Sequence, residues 1–446
     1  MDDCITASGP RPVVQGGDMR LSDSRANQGS MPASLLGLLA CGHCLAFIDR
    51  YLPAVAAPLL RADLGLSDTQ MGVLDGPAFV LLYAVGMLAS WPLARSPYRL
   101  RLLAGCIATW MLGMAVFALG RSFGVLVVAR ALVGLGQAAF VPLALGLIVD
   151  CSAARWRARS MALFTAASFA GHSLSMLLGG ATLALLTKWT AVPASAHWRW
   201  LFLIMAAPNA VLILWLLRRE EHPYTPSLPR GRVFSQMLAA FRERPWVMGM
   251  YLCGAGASML VIQSIGAWAP SVLHREQGLT PATAALVFGA SLLVAAPLAN
   301  FIAGTLVDKR SDKLSPMMIM AVVLLLAIPV FWSIPWSTSA ATACALLMLA
   351  WLIGAIAAVT MLVGLPSMLS APLHDMGLRM FLTFVTVVGV ALGPLMAGVV
   401  SDGMHMGTHG LSWGLSEVCL GAAIVGIVTA LLTRSVGQRV AIEVAR

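Results

Sequence analysis

The sequence predicts an all-α membrane protein in which twelve transmembrane helices form two pseudo-symmetric six-helix bundles. Three observations predict this. Of 446 residues, 59% are hydrophobic and only 11% are charged, whereas a soluble domain carries roughly 25% charged residues. Apolar runs long enough to cross lipid recur along the whole chain. One longer polar stretch divides those runs six and six.

A spanning helix needs about 20 mostly apolar residues. Such runs lie near 34–57, 71–93, 101–120, 124–150, 160–186 and 198–217, and then near 246–272, 282–306, 316–334, 340–369, 376–400 and 411–433. The expected organisation is therefore a tail (1–33), an N-terminal bundle (34–217), a linker (218–245), a C-terminal bundle (246–433) and a second tail (434–446). The first segment is polar, which predicts a disordered cytoplasmic tail and no secretory signal peptide. Met19 and Met31 are alternative starts. In the linker, Val233 to Phe241 is amphipathic between Arg232 and Arg242. It reads as a helix on the inner leaflet, with a regulatory docking site as the alternative.

Net charge is +10, but the basic residues are spread over short turns with no basic domain, which argues against a nucleic-acid partner. Their distribution sets an orientation instead. With the N-terminus in the cytoplasm, Arg95, Arg99, Arg101, Arg155, Arg157, Arg159, Lys309, Arg310, Lys313 and the six Arg of the linker fall inside. Arg61, Arg121, Lys188, Arg199 and Arg275 fall outside. Both termini are predicted cytoplasmic, with membrane lipid as the surrounding partner.

The halves echo each other. Gly171, Ser175 and Gly180 in the fifth run match Gly389, Gly393 and Gly398 in the eleventh at the same spacing. Small residues about four apart let helix backbones approach. Two related halves predict a substrate site between them near the midplane.

Ionisable residues within a span cost several kcal/mol unless paired or wet, so they mark candidate function. Asp49 and Arg50 lie in the first run, four and three residues before Pro53. Proline removes a backbone N–H and crowds the carbonyl of residue 49, which predicts a kink or opening there. Arg130 lies in the fourth run, and Gln137, nearly two turns on, shares its face. Arg forks suit carboxylate and phosphate, so Arg50 or Arg130 is expected to hold an anionic substrate group. The alternative is a set of charges that only ties helices together. His43, Tyr83, His172, Gln263 and Trp268 are candidate cavity-lining residues, each also readable as a packed residue. Asp308, Lys309 and Lys313 at a cytoplasmic turn, Gly304 before them, and Asp150 ahead of Arg155 are candidate gate residues.

Enzyme-like motifs dissolve on inspection. Cys41-Gly-His-Cys44 falls inside a span, where a reactive thiolate is disfavoured. Gly134-Leu-Gly136 follows no strand, so it reads as helix packing. There is no P-loop, H-E-x-x-H or G-x-S-x-G. The chain is read as a non-enzyme with no metal or cofactor, and transport, if it occurs, draws on gradients.

Together these residues resemble the major facilitator superfamily over essentially all of 34–433. Gly304-Thr-Leu-Val-Asp308-Lys309 through Lys313 resembles its signature loop in the second-half copy. In the first-half copy, Ser90 and Ala94 replace the Gly and Asp. Within the superfamily the best match is the Spinster-like group. It rests on Asp49-Arg50, on Leu66-Ser-Asp68 with Gln70 and Gly72, and on Arg130 with Gly134-Leu-Gly136-Gln137. Trp198-Arg199-Trp200, Trp268-Ala-Pro270 with Arg275, and Gly393-Pro394 with Asp402 add to it. Organic anion:cation symporters share part of this set. The resemblance implies alternating access and a lysolipid-like amphipathic anion, with an organic acid anion:proton symporter and a non-transporting receptor or scaffold as alternatives. It also implies proton coupling through a Glu where this chain has Gln137. Gln cannot titrate, which leaves Asp49 as the expected proton carrier, releasing Arg50 or Arg130 when protonated.

Overall fold

The computed structural model describes residues 31–93, 96–221, 245–310, 313–369, 374–404 and 409–444. Most of the predicted N-terminal tail and linker, with Val233 to Phe241, and Ala94 and Arg95 of the first-half loop lie outside the described residues. Thirteen α-helices are named in order. They are α1 (Ala33–Leu64), α2 (Asp68–Asp75), α3 (Pro77–Leu93), α4 (Arg99–Leu119), α5 (Phe123–Cys151), α6 (Ala154–Leu186) and α7 (His197–Leu217). The second half holds α8 (Pro245–Arg275), α9 (Pro281–Arg310), α10 (Pro316–Ser333), α11 (Ala340–Gly364), α12 (His374–Gly403) and α13 (Gly410–Val444).

Twelve stretches among them are long and apolar enough to cross a membrane, with α2 and α3 together forming the second. Three differences from the sequence reading have local causes. α1 runs unbroken past Pro53, so the expected opening at Asp49 is absent. Side chains from other helices serve the carbonyls around this point: Ala46, Ile48 and Arg50 accept from Gln137, Ser175 and Arg130. The second span does break, at Gly76 with φ −111° and ψ −99°, ahead of Pro77. α13 continues through Val444, beyond the predicted end at 433.

Helix ends follow the local chemistry. Pro77, Pro245, Pro281 and Pro316 begin helices, where a missing N–H costs nothing. Ser67 with Gln70 forms a capping box at the start of α2, satisfying two donors that lack intrahelical partners. α1 ends on Gly65 at φ +63°, a left-handed position that suits glycine.

The two halves repeat one packing scheme. α1 packs on α6 as α8 packs on α12, α3 on α5 as α9 on α11, and α4 on α7 as α10 on α13. The small-residue triads occupy matching places. A methyl at Gly171 would sit 2.5 Å from the Cys44 carbonyl oxygen of α1, and one at Gly389 2.5 Å from Met259 of α8. Gly180 and Gly398 each meet the other half, at Ala282 and Asp68.

The ends of the spans away from the chain termini, here the far ends, are thus pressed together. On the near side, a groove of about 500 Å³ separates α6 from α9, between Ala162 to Ser173 and Leu292 to Asn300.

Gly134 meets the Phe79 carbonyl directly, so a side chain there would displace α3, whereas a methyl at Gly124 would meet nothing within 4 Å. Gly134→Val is expected to cost about 3 kcal/mol or more of stability through overpacking, and Gly124→Val to change it little. Thermal unfolding of the two purified variants checks this.

Candidate functional site

The central site is built on one turn of α1. Arg50 is buried at 8% exposure, with its guanidinium 4.5 Å from the Phe47 ring centroid, 4.7 Å from Phe79 and 5.5 Å from Tyr83. Cation–π attraction of this kind strengthens where water is excluded. Its Nε and Nη2 both donate to Gln137 Oε1, each at 3.1 Å, and Gln137 Nε2 donates to the Ala46 carbonyl at 2.8 Å. The amide therefore uses both ends: a neutral acceptor for the guanidinium and a donor for the α1 backbone. A carboxylate could not make the second bond.

Arg130 sits behind this pair. Its Nε donates to the Leu74 carbonyl at 2.9 Å and its Nη2 to the Arg50 carbonyl at 3.2 Å. Its Nη1 is buried without a hydrogen-bond partner. So Arg50, Arg130 and Gln137 are brought together as their spacing suggested, with Arg130 buttressing rather than lining.

Asp49 is the exception. Adjacent residues on a helix point about 100° apart. Asp49 consequently faces away, toward α4 and α7, where its Oδ2 accepts from Asn209 Nδ2 at 2.8 Å and Asn209 Oδ1 accepts from Trp110 Nε1 at 3.1 Å. Among the described residues no ion pair joins Asp49 to Arg50 or Arg130. The expected release of an arginine by Asp49 protonation has no contact to act through.

Between the halves lies a narrow cavity lined by Arg50, Tyr51, Ala54, Asp75, Gln263 and Ala267, closed by Val390 and Pro394. About 10 Å³ is open to the centre of a water molecule, the room of roughly one water. Tyr51 crosses the interface: its hydroxyl donates to Gln263 Oε1 at 2.9 Å. The Tyr51 ring stacks on His172 at 3.7 Å, and His172 meets Trp351 of the other half edge-on at 6.1 Å. His172 Nε2 and Trp351 Nε1 are buried without partners.

Of the candidate cavity residues, Gln263 lines the cavity, Tyr83 flanks Arg50, and His172 lies in the adjoining layer. His43 does not reach it. It stacks on Phe164 at 4.2 Å and bonds the Phe164 carbonyl at 2.8 Å, locking α1 to α6. Trp268 spends its N–H on the Pro394 carbonyl at 2.9 Å, binding α8 to α12 inside one half. Both follow the packed alternative.

Asp75, Tyr51 and Trp351 were missed. Asp75 had a usable signal, an acid inside an apolar run before Gly-Pro. The span was begun at residue 71, which made it look like an end residue. A larger groove, of about 460 Å³, lies between α8, α12 and α13 with Glu417 on its wall; neither it nor the α6–α9 groove is lined by the arginines.

A profile of the Major Facilitator Superfamily matches residues 39–394. The chain belongs to the Major Facilitator Superfamily. Members of this family are transporters and not enzymes, and twelve apolar spans make this one an integral multi-pass membrane protein. It is 26% identical over 427 residues to an MFS-type efflux pump of Mycolicibacterium smegmatis, covering 92% of this chain and 94% of that one. It is similar to human Protein spinster homolog 1, 26% identical over 254 residues, which is 55% of this chain and 46% of that protein. The solved structure of a bacterial homolog to the human lysosomal transporter Spinster, inward-facing and unoccupied, has the same fold. It aligns with a TM-score of 0.79 and 23% identity, over 91% of this chain and 97% of that one. The Spinster-like resemblance thus holds in sequence and in fold.

In this facilitator fold the contacts that close the far end differ from the expected gate. Asp68, at the start of α2, takes Arg275 Nη1 of α8 on both carboxylate oxygens at 2.8 and 2.9 Å. It also takes Ser401 Oγ at 2.7 Å and has Arg61 at 3.3 Å. Asp402 returns the link, accepting the Asp68 and Thr69 backbone N–H groups at 3.1 and 2.7 Å. Free N–H groups at a helix start favour an anion there.

The expected gate residues lie at the near end, away from this closed network. Asp308, Lys309 and Lys313 are exposed and make no bond across the halves among the described residues. Gly304 has open space around it. Asp150 pairs with Arg99 at 2.6 Å, a tie between α4 and α5 within one half.

Asp68 is buried but Arg275 is 27% exposed, so losing their charge-assisted bonds is expected to cost about 1.5–3 kcal/mol, and 1.4 kcal/mol is a factor of ten. Asp68→Asn is therefore expected to raise labelling of Ala267→Cys, by a bulky impermeant maleimide applied from the far side, at least about 10-fold in a background lacking other cysteines. Unchanged labelling would show that this network does not hold the far end shut.

Proposed function

We propose that this protein is a secondary active transporter that moves a small amphipathic organic anion by alternating access, coupled to protons. Both termini face the cytoplasm of a bacterial inner or plasma membrane. The observation that carries the reading is Arg50. Its charge stands at the wall of the cavity between the halves, held by a neutral amide rather than by a carboxylate. A guanidinium so placed keeps its attraction for a carboxylate or phosphate.

The surroundings suit the rest of such a substrate. Ala54, Ala267 and Val390 give the cavity apolar walls beside Arg50, and the Phe47, Phe79 and Tyr83 rings shield the charge from behind. Buried donors at Arg130 Nη1 and Trp351 Nε1 lack acceptors, as a site for an acceptor-rich ligand would have them. The likeness to spinster homologs supports a lysolipid-like molecule as the form of the anion. The two unequal faces support alternating access: a charged network shuts the far end while α6 and α9 stand apart at the near end. Substrate entering from the near side meets Arg50, the far network opens, and near-end residues such as Asp308 and Lys309 close behind it.

Proteoliposomes carrying radiolabelled lysophosphatidylglycerol test this, with a short organic acid such as labelled tartrate as the competing class. Wild-type protein is expected to move the lysolipid, and Arg50→Ala to lower flux more than about 10-fold, the scale of a lost charge-assisted bond. Binding without flux would mark a receptor instead and overturn the reading. Gln137→Glu is expected to weaken lysolipid binding about 10-fold, because the new carboxylate neutralises Arg50. Calorimetric titration of the two proteins in nanodiscs checks it.

A further inference from the structure

We infer that Asp75 carries the coupling proton of the central site, acting on the Arg50–Arg130 pair in the role that position 137 cannot fill. The inference rests on the reading of this cavity as the substrate site.

Its first support is position. Asp75 is half-buried and lines the cavity between the halves together with Arg50, Tyr51 and Gln263. Arg130 donates to the carbonyl of Leu74, the preceding residue, and lies within Coulombic range of the Asp75 carboxylate. Asp75 accepts no hydrogen bond among the described residues. An intramembrane carboxylate with neither bond nor close ion pair is expensive to keep without a function.

The second support is elimination among the acids near the site. Asp49 is engaged by Asn209 on the other side of α1. Asp68 is saturated by Arg275, Arg61 and Ser401 at the far end. Asp75 alone of the three faces the cavity. The groups that face it are Arg50 and Tyr51 from α1, Arg130 from α5 and Gln263 from α8. From α12 come only Val390 and Pro394. Among the described residues, the charge of Asp75 is therefore set against Arg130, with Arg50 on the same cavity wall.

The third support is the hinge. Asp75 is the last residue of α2, directly before the break at Gly76. α2 is clamped to α12 of the other half with no side chains between them. A methyl at Gly72 would lie 2.6 Å from the Pro394 carbonyl oxygen, and one at Gly76 2.6 Å from that of Ala391. Any rocking of the halves that parts α2 from α12 takes a sealing wall off Asp75 and wets it. Proton access at Asp75 is then tied to the same motion that exposes Arg50.

The coupling is electrostatic. With Asp75 ionised, the arginine pair is half compensated, and an arriving anion meets a like charge. With a proton on Asp75 that repulsion is gone. Protonation and anion binding therefore favour each other, by equal factors in each direction. One proton and one anion travel together, and loss of the proton on the opposite face expels the anion.

Two measurements on the full-length protein test this. In nanodiscs without added substrate, the infrared pH-difference spectrum is expected to show a carboxyl C=O stretch that Asp75→Asn removes. In proteoliposomes, wild-type protein is expected to concentrate lysophosphatidylglycerol along an imposed proton gradient. Asp75→Asn is expected to lose concentrative uptake entirely and Asp75→Glu to keep it. Thermal unfolding and an elution profile like those of wild type show that Asp75→Asn is folded, and Asp75→Glu should preserve the pH dependence. An unchanged carboxyl band, or undiminished concentrative uptake in Asp75→Asn, overturns the inference. If wild-type protein moves no lysolipid, the proposed function falls, while the infrared band still decides for or against Asp75.

Discussion

A guanidinium inside a membrane protein must be held by something, and the architecture around Arg50 turns on what holds it. Stripping a charge of water costs several kcal/mol unless other dipoles replace the solvent. Here the replacement is a neutral amide and three aromatic rings, while Arg130 fixes the Arg50 backbone through its carbonyl. None of these cancels the charge. Each needs a neighbour in a fixed place: Gln137 must reach both Arg50 and the Ala46 carbonyl, and Phe79 must lie where Gly134 lets α3 approach α5. The close packing of the N-terminal half reads as the scaffold for a guanidinium held by neutral groups.

The second half supplies the lid and the asymmetry. It brings Gln263 to Tyr51, Val390 and Pro394 to the cavity wall, and Arg275, Ser401 and Asp402 to the start of α2. The far-end network mixes an ion pair with a capped helix terminus. It is strong when closed and, once parted, leaves groups that water can solvate. Contacts of that kind suit a two-state interface better than a greasy seam would. Glycines at 180 and 398, symmetry-related, are two of the places where the halves touch closely. The same repeat that sets the fold also sets the seal.

The architecture was legible in the sequence because the bilayer imposes it. Twenty apolar residues, short basic turns and one long polar loop leave few other solutions, and the small-residue triads of the fifth and eleventh runs are places of close helix approach. Arg50, Arg130 and Gln137 were found because an i, i+7 spacing fixes a shared face. What failed was direction around a helix. Asp49 and Arg50 are neighbours in sequence and so read as partners, yet the helical step of about 100° turns them toward different neighbouring helices. His43 and Trp268 were likewise placed on the right helices but turned inward to carbonyls that no sequence pattern announces. Asp75 was hidden by an error of three residues at a span boundary. The far-end network was hidden because its members, Asp68, Arg275 and Asp402, are separated by hundreds of residues and meet only in the fold.

The claim on which all of this depends is that the two halves rock as rigid bodies about the Arg50 layer. Spin labels on exposed positions at the near ends of α6 and α9, and separately at the far ends of α2 and α8, read it directly by pulsed dipolar spectroscopy in nanodiscs. The account predicts two distance populations at each end that shift in opposite directions when pH is lowered with lysophosphatidylglycerol present. A single unchanging distance at both ends under every condition would contradict it.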